Sequence, residues 1–113
     1  MVNFPNLEHY KGNTFDEILL QYKLDGVSVD ITNFVINMQL RKESEGVVFL
    51  QLTSVGSNGI TIVNGVEGIF KINQQVIDIK AGNYIYDIQF DDDGYIETYI
   101  KGNFNIINDI TNG

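Results

Sequence analysis

The fold of this chain is most evident in NYIYDIQF at positions 83–90, which is followed by DDDG at 91–94 and by YIETYIKGNF at 95–104. Apolar and polar residues alternate in both outer segments, which is the period of a β-strand with one buried face. One antiparallel pairing keeps the two apolar sets together, with the opposed pairs Phe90–Ile96, Ile88–Thr98, Tyr86–Ile100 and Tyr84–Gly102. This register predicts a three-residue loop, Asp92-Asp93-Gly94, with Gly94 in the left-handed conformation and Ile96 and Ile100 facing the core.

The same alternation recurs along the rest of the chain and is interrupted by glycine-containing turns. Residues 33–41 and 47–53 predict an antiparallel pair joined by the polar loop 42–46. Further strands are predicted at 14–22 and 27–32 around Asp25-Gly26, and at 59–63 and 66–72 around Asn64-Gly65. Because Asn-Gly is a strong signal for a two-residue hairpin turn, both Asn64 and Gly65 are expected to have positive φ.

Seven or eight short strands without a helix, in 113 residues, leave a β-sandwich or a small barrel as the two possible layouts. The segment around Gly82 and Tyr84 favours the sandwich, because Tyr84 stands at the start of a late strand where its hydroxyl can bond upstream backbone, as in a tyrosine corner. We therefore predict an all-β, antiparallel, immunoglobulin-like sandwich of about seven to eight strands. Residues 13–106 form this domain, between an N-terminal arm of residues 1–12 and a C-terminal tail of residues 107–113.

The composition excludes several functional classes. The chain has 7 Lys and Arg against 15 Asp and Glu, a net charge of −8, and no cysteine. Without cysteine there is no disulfide, no thiolate nucleophile and no cysteine-based metal site. The acidic balance without a basic cluster argues against nucleic acid and against an anionic membrane surface as partners. The opening residues resemble neither a signal peptide nor a transmembrane span, so a soluble chain is expected.

The chain contains few groups that suggest catalysis, and we expect neither an enzyme nor a cofactor. The single histidine, His9, is expected to be solvated in the N-terminal arm. Asp91, Asp92 and Asp93 offer hard oxygen donors for Ca²⁺, but the spacing around Gly94 does not match an EF-hand loop. Ordinary turn chemistry of aspartate explains the cluster at least as well.

One surface is singled out by the predicted register. Tyr95 and Tyr99 are expected to face outward beside Ile85, with Glu97 and Lys101 among the polar residues around them. Such a group is typical of a protein contact or a sugar-binding platform, although cross-strand aromatic neighbours also stabilise a sheet without any ligand. Apolar residues outside the predicted domain are further candidates for contacts with a neighbour, namely Phe4, Leu7, Ile107 and Ile110.

Five segments together resemble those of a known family: GNTF at 12–15, DGVSVDIT at 25–32, VINMQLR at 35–41, GITI at 59–62 and AGNYIYDIQ at 81–89. The series resembles small β-sandwich proteins of tailed bacteriophages and prophages, and it is similar to the N-terminal domain of upper baseplate proteins and to tail or neck accessory proteins. The resemblance covers roughly residues 12–106. It implies a non-enzymatic virion component, assembled in the host cytoplasm, that packs with copies of itself or with other virion proteins.

Two alternatives remain open beside this structural role. One is a carbohydrate-binding or adhesion module that uses Tyr95 and Tyr99 as a glycan platform. The other is a Ca²⁺-stabilised adhesin domain centred on residues 91–93.

Overall fold

The computed structural model describes residues 2–3, 6–43 and 46–108, without the side chains of residues 2, 3, 99 and 100. The strands, in chain order, are β1 Val2–Asn3, β2 Leu7–Tyr10, β3 Thr14–Phe15, β4 Ile18–Gln21, β5 Lys23–Leu24, β6 Val27–Ser28, β7 Val35–Arg41, β8 Val48–Thr53, β9 Ile60–Asn64, β10 Ile69–Ile72, β11 Gln75–Val76, β12 Gly82–Asp92 and β13 Tyr95–Ile107. A 3₁₀ turn at Val55–Ser57 is the one helical element in the described part of the chain. The prediction of an all-β fold is confirmed.

The larger sheet is built around the long β12–β13 hairpin. Its strand order is β1–β13–β12–β7–β8, and β2 also pairs with β13. The predicted antiparallel pair at 33–41 and 47–53 is present as β7 and β8. Ile36, Met38 and Leu40 of β7 are buried while the residues between them are half-buried, so the alternation read from the sequence is the alternation of the two sheet faces.

The N-terminal residues belong to this sheet, so the prediction of an arm outside it is wrong for the described part of residues 1–12. β1 and β2 both run parallel to β13, with Leu7 opposite Phe104 and Tyr10 opposite Ile107. The sheet is consequently mixed and not purely antiparallel. Leu7 packs against the core and Ile107 ends the paired part of β13, whereas Phe4 and Ile110 lie outside the described residues.

A second, smaller set of strands covers the inner face of the large sheet. β4, β10 and β9 form a three-stranded sheet, and β3–β11 and β5–β6 form two short pairs. Phe90 of β12 stacks on Tyr22 at a centroid distance of 4.5 Å and meets the edge of Phe70 of β10 at 5.6 Å. One apolar core therefore joins the two layers, in a sandwich-like arrangement. Its buried members are Phe15, Tyr22, Ile31, Ile36, Met38, Leu40, Leu52, Ile60, Phe70, Ile72, Ile77, Tyr84, Tyr86, Ile88, Phe90, Phe104 and Ile106.

The predicted turn at Asn64-Gly65 is wrong, although β9 and β10 do pair as a hairpin. Neither Asn64 nor Gly65 has positive φ; the positive φ, 73°, falls at Gly68. The Glu67 N–H donates to Asn64 Oδ1 at 3.3 Å, which shapes a longer turn over residues 65–68. Gly65 is needed for a different reason, since a Cβ there would lie 2.5 Å from Thr32 Oγ1. The Asp25-Gly26 turn, in contrast, is present as predicted between β5 and β6.

The register predicted for the β12–β13 hairpin is also wrong. The strands pair Asp92 with Tyr95, so the loop is the two residues Asp93 and Gly94, with φ of 51° and 95°. Positive φ at both positions is the type I′ turn, whose twist matches that of an antiparallel hairpin. Gly94 is left-handed as predicted. An extra residue in β13 between the partners of Ile88 and Gln89 then shifts the register, so that Tyr86 faces Gly102.

Candidate functional site

The corrected register separates the predicted interface residues onto two faces. Directly opposed residues in an antiparallel pair share a face. Lys101 is opposite Asp87, next to Ile85 on the outer face of the large sheet, whereas Tyr95 is opposite Asp92 on the face that carries Phe90. Glu97 is opposite Phe90 and therefore goes with Tyr95, and the side chain of Tyr99 lies outside the description. Ile85 and Tyr95 therefore do not share the predicted platform.

The hairpin tip exposes apolar residues on both of its faces. Tyr95 is 68% exposed, and Ile96, which was predicted to face the core, is 59% exposed. The error follows from the turn, because a two-residue loop places Ile96 opposite Asp91 on the outer face. The Tyr95 hydroxyl lies 3.4 Å from Glu97 Oε1, within reach of a weak hydrogen bond.

The three aspartates at this tip lie in the turn or beside it. The Gly94 N–H donates to Asp91 Oδ1 at 2.8 Å, which is an aspartate-stabilised turn. Asp92 faces the side of the sheet opposite to Asp91, and Asp93 occupies the turn itself. Within the described ranges, no group of three acidic or histidine side chains is arranged to hold a metal ion.

The side chain of His9 makes contacts within the fold, whereas the sequence predicted a solvated histidine in an arm. Its Nε2 lies 2.8 Å from the carbonyl oxygen of Asn13, and its ring meets the edge of Phe15 at a centroid distance of 5.4 Å. His9 shares the inward side of β2 with Leu7, since β2 alternates along its length. The histidine therefore closes the end of the core where the chain turns from β2 into β3.

The outer face of the large sheet carries polar side chains in rows that cross several strands. One row contains Gln51, Gln39, Asp87 and Lys101 on four adjacent strands. Asp87 Oδ2 lies 3.5 Å from Arg41 Nη1, and an Arg41 N–H also donates to Gln39 Oε1. Asp87 Oδ1 is buried without a hydrogen-bond partner among the described residues. Burial raises the pKa of the Asp87 carboxyl above its ordinary value, while the charges of Arg41 and Lys101 act in the opposite direction.

Next to this row, the outer face forms a groove of about 430 Å³. Its lining comes from β2, β13, β12 and the residue that follows β7. We name it the amide groove, after Asn83, Asn103 and Asn105, which line it together with Glu8, Lys42 and Ile85. Its volume lies within the usual range of small-ligand sites, although it is open along one side.

A second feature is the free edge of the large sheet at β8. In the described structure, β8 pairs with β7 on one side, and on the other Thr53 at its end forms an isolated bridge with Gly59 and donates its N–H to the Asn58 carbonyl oxygen at 2.8 Å. The strand has the sequence VFLQLT and no charged residue. Phe49 is 42% exposed and Val47, just before the strand, is 75% exposed. An apolar edge strand of this kind is a ready template for another strand.

The sequence-based reasoning missed both features for identifiable reasons. Glu8 enters the amide groove only because β2 pairs with β13, and four residues of alternation were too little to indicate that pairing. The period-two spacing of Asn103 and Asn105 did place them on one face, and the correct register would have brought Asn83 opposite Asn105. The edge position of β8 depends on strand order, which the alternation pattern does not contain.

No known protein-family model matches the sequence, and a search of curated proteins finds no match. Across the described residues, no helix has the length and apolar character needed to cross a membrane.

Proposed function

We propose that the protein is a non-enzymatic structural component of a bacteriophage particle, in the baseplate, tail or neck. It acts through contacts with copies of itself or with other virion proteins, and it is located in the virion after assembly in the host cytoplasm. The resemblance of five sequence segments to small phage β-sandwich proteins supports this role. The free edge of β8 is the structural observation that carries it.

The β8 edge suits strand-to-strand contact for two reasons. Before Thr53, which bonds Asn58 and bridges to Gly59, the strand has no neighbouring strand on its outward side in the described part of the chain. Strand addition at such an edge is a recurrent mode of protein recognition. The absence of charge in Val48–Thr53 also removes the side chains that proteins commonly use to block edge pairing. The remainder of the chain carries the whole net charge of −8, so the edge differs from its surroundings.

An immunoglobulin-like arrangement of the strands is part of the same proposal. The Tyr84 hydroxyl donates to the carbonyl oxygen of Lys80 at 2.5 Å, at the start of the late strand β12. This is the hydrogen bond of a tyrosine corner, which is frequent in immunoglobulin-like sandwiches.

The test introduces charge along the edge without touching the core. In the variant Val47→Lys/Gln51→Lys, both substituted side chains are exposed, and Phe49 is left in place because its ring packs on Tyr84. Light scattering would give the molar mass of the protein alone and mixed with the products of neighbouring virion genes. We expect assembly of the unmodified protein and its loss in the variant.

The control variant is Leu24→Lys/Val27→Lys, which adds the same charge at the exposed β5–β6 hairpin, outside the sheet that contains β8. It should assemble as the unmodified protein does. A protein that stays monomeric at high concentration with every neighbouring virion protein present would contradict the proposed function. Equal loss of assembly in both variants would show that the contact does not use the β8 edge.

A further inference from the structure

We propose that the amide groove is a binding site for a neutral carbohydrate. This inference goes beyond the proposed assembly role and uses a different part of the large sheet. The groove lies on β2, β13 and β12, whereas the assembly edge is β8, at the opposite end of the strand order.

The hydrogen-bonding groups of the groove form a row across three strands. Asn105 lies opposite Glu8 on one side and opposite Asn83 on the other, so the three side chains share the outer face. Adjacent strands are about 4.8 Å apart, which spaces the three polar groups evenly along the row. Glu8 and Asn83 are exposed and Asn105 is half-buried, so their polar atoms face the groove and water.

These groups match the chemistry of a sugar. A side-chain amide offers two N–H donors and a carbonyl acceptor, and a carboxylate offers two acceptor oxygens. Each sugar hydroxyl both donates and accepts, so neighbouring hydroxyls can bond an amide through its carbonyl oxygen and its nitrogen together. Asn83 and Asn105 provide two such amides side by side, and Asn103 provides a third on the same strand as Asn105.

The next row gives the groove an apolar floor. Ile85 is half-buried and lies opposite Asn103. A half-buried isoleucine beside amides suits the C–H face of a sugar ring, since binding sites for such ligands combine apolar contact with a few placed polar groups. The Lys42 ammonium nitrogen lies away from this floor, 5.6 Å and 5.7 Å from the ring centres of Phe49 and Tyr84, and Tyr84 is buried on the face opposite to Ile85. Contact with both rings keeps the ammonium group away from Ile85.

The charges favour a neutral ligand. Glu8 is the charged side chain that shares the outer face with the asparagines of the groove, and the asparagines are uncharged. The whole chain has a net charge of −8, which repels anionic ligands at a distance. Sialylated or sulfated glycans are therefore disfavoured relative to neutral ones of similar size.

The experiment uses a glycan array that carries neutral hexose and N-acetylhexosamine oligosaccharides beside sialylated and sulfated ones. The labelled full-length protein should bind a subset of the neutral glycans. The double variant Asn83→Ala/Asn105→Ala should lose about tenfold or more in affinity for the same glycans, because two amides that bond the ligand are removed. The matched control is Asn37→Ala, in which an amide on the same sheet face but on β7, two strands from β13, is removed without effect.

A second readout places the ligand in the groove. Side-chain amide signals in a ¹⁵N correlation spectrum should shift for Asn83, Asn103 and Asn105 on addition of the best neutral glycan, while that of Asn37 stays in place. Circular dichroism would verify folding of the double variant. The single variant Asn103→Ala repeats the binding test with Asn83 and Asn105 left in place. The proposal is overturned by an array without neutral binders, by a preference for sulfated glycans, or by equal binding of the Asn83/Asn105 and Asn37 variants. None of these outcomes bears on assembly through β8.

Discussion

The Tyr84 hydroxyl donates a hydrogen bond to the backbone carbonyl oxygen of Lys80, four residues upstream, with an oxygen–oxygen distance of 2.5 Å. The ring of Tyr84 is buried, while its side chain reaches across the bend that leads into β12. Phe49 of β8 and the ammonium group of Lys42 both lie against the same ring. Tyr84 thus links the entry of β12 to the edge of the large sheet.

The variant Tyr84→Phe keeps the ring and removes this hydrogen bond. We expect it to lower the free energy of unfolding by about 1 kcal/mol, since a hydrogen bond to partly buried backbone contributes about 0.5–1.5 kcal/mol. Urea denaturation monitored by tyrosine fluorescence would measure the change. Tyr95→Phe is the control, because Tyr95 is exposed and its hydroxyl makes only a long contact. Equal midpoints for the Tyr84 variant and the unmodified protein would refute the assigned role.

Phe90 is the side chain through which the two layers make aromatic contact at this end of the core. It stacks on Tyr22 and meets Phe70 edge-on. Phe90→Ala should therefore lower the free energy of unfolding by about 3–5 kcal/mol, as replacement of a buried phenylalanine by alanine does in other proteins. The control Phe49→Ala, at a partly exposed ring, should cost clearly less. Chemical denaturation of both variants measures the difference, and similar costs would contradict the central position of Phe90.

How far the sequence predicts this fold differs from one strand to the next. In β7, Ile36, Met38 and Leu40 alternate with polar residues, so the sequence indicates without ambiguity which face of the strand is buried. In β13, Tyr95 and Ile96 are adjacent and both apolar, so alternation alone could not decide which one faces the core. The extra residue near Tyr99 reverses the faces within the strand, and such a bulge has no pattern of its own.

The candidate site was less predictable than the fold, because it depends on which strands are neighbours. Ile85 and Lys101 were expected on the outer face and lie there, but Ile85 is opposite Asn103 and Lys101 is opposite Asp87, while Tyr95 lies on the other face. Glu8 was assigned to an arm because a parallel edge strand of four residues has no turn signal linking it to β13. Loop and hairpin signals predict local pairs; they do not predict which distant strand closes a sheet.

The two-residue turn at the tip of the hairpin gives a direct test of the corrected register. Asp93 has positive φ, a conformation that is strained for a β-branched residue. Asp93→Val should lower the free energy of unfolding by about 1–2 kcal/mol. Asp92→Val is the matched control, since Asp92 is the last residue of β12 and is extended there. In the three-residue loop only Gly94 would be left-handed and neither aspartate would have positive φ, so equal losses in the two variants would restore that register.

Gly102 is required by close packing inside β13. A Cβ at this position would lie 2.8–3.0 Å from two ring carbons and the hydroxyl oxygen of Tyr86, which is buried on the opposing strand. Gly102→Ala should therefore destabilise the protein by about 1–3 kcal/mol, as overpacking of a filled core does. Asn103→Ala, at the exposed neighbouring position, serves as the control for strand propensity. Differential scanning calorimetry gives both melting temperatures, and an unchanged melting temperature for Gly102→Ala would show that the Tyr86 ring moves aside freely.

The dependence of stability on pH tests the position of Asp87. Burial raises the pKa of its carboxyl above the ordinary value, against the opposing charges of Arg41 and Lys101. The folded state then binds this proton more tightly than the unfolded state does, so the Asp87 contribution to stability is fully present below the ordinary pKa. It is lost as the pH rises from the ordinary pKa through the raised pKa of the folded state. Asp87→Asn, which cannot ionise, should lack this loss.

The free energy of unfolding of Asp87→Asn, relative to the unmodified protein, should therefore increase as the pH rises across that window. Urea titrations at a series of pH values from 3 to 7 would measure it, a range set by the usual titration of aspartate at about pH 4. Asp91→Asn, at an exposed turn, is a control for general charge effects in a chain of net charge −8. A relative stability of the Asp87 variant that falls with pH would mean that Arg41 and Lys101 dominate over burial, and that the ionised carboxylate stabilises the sheet.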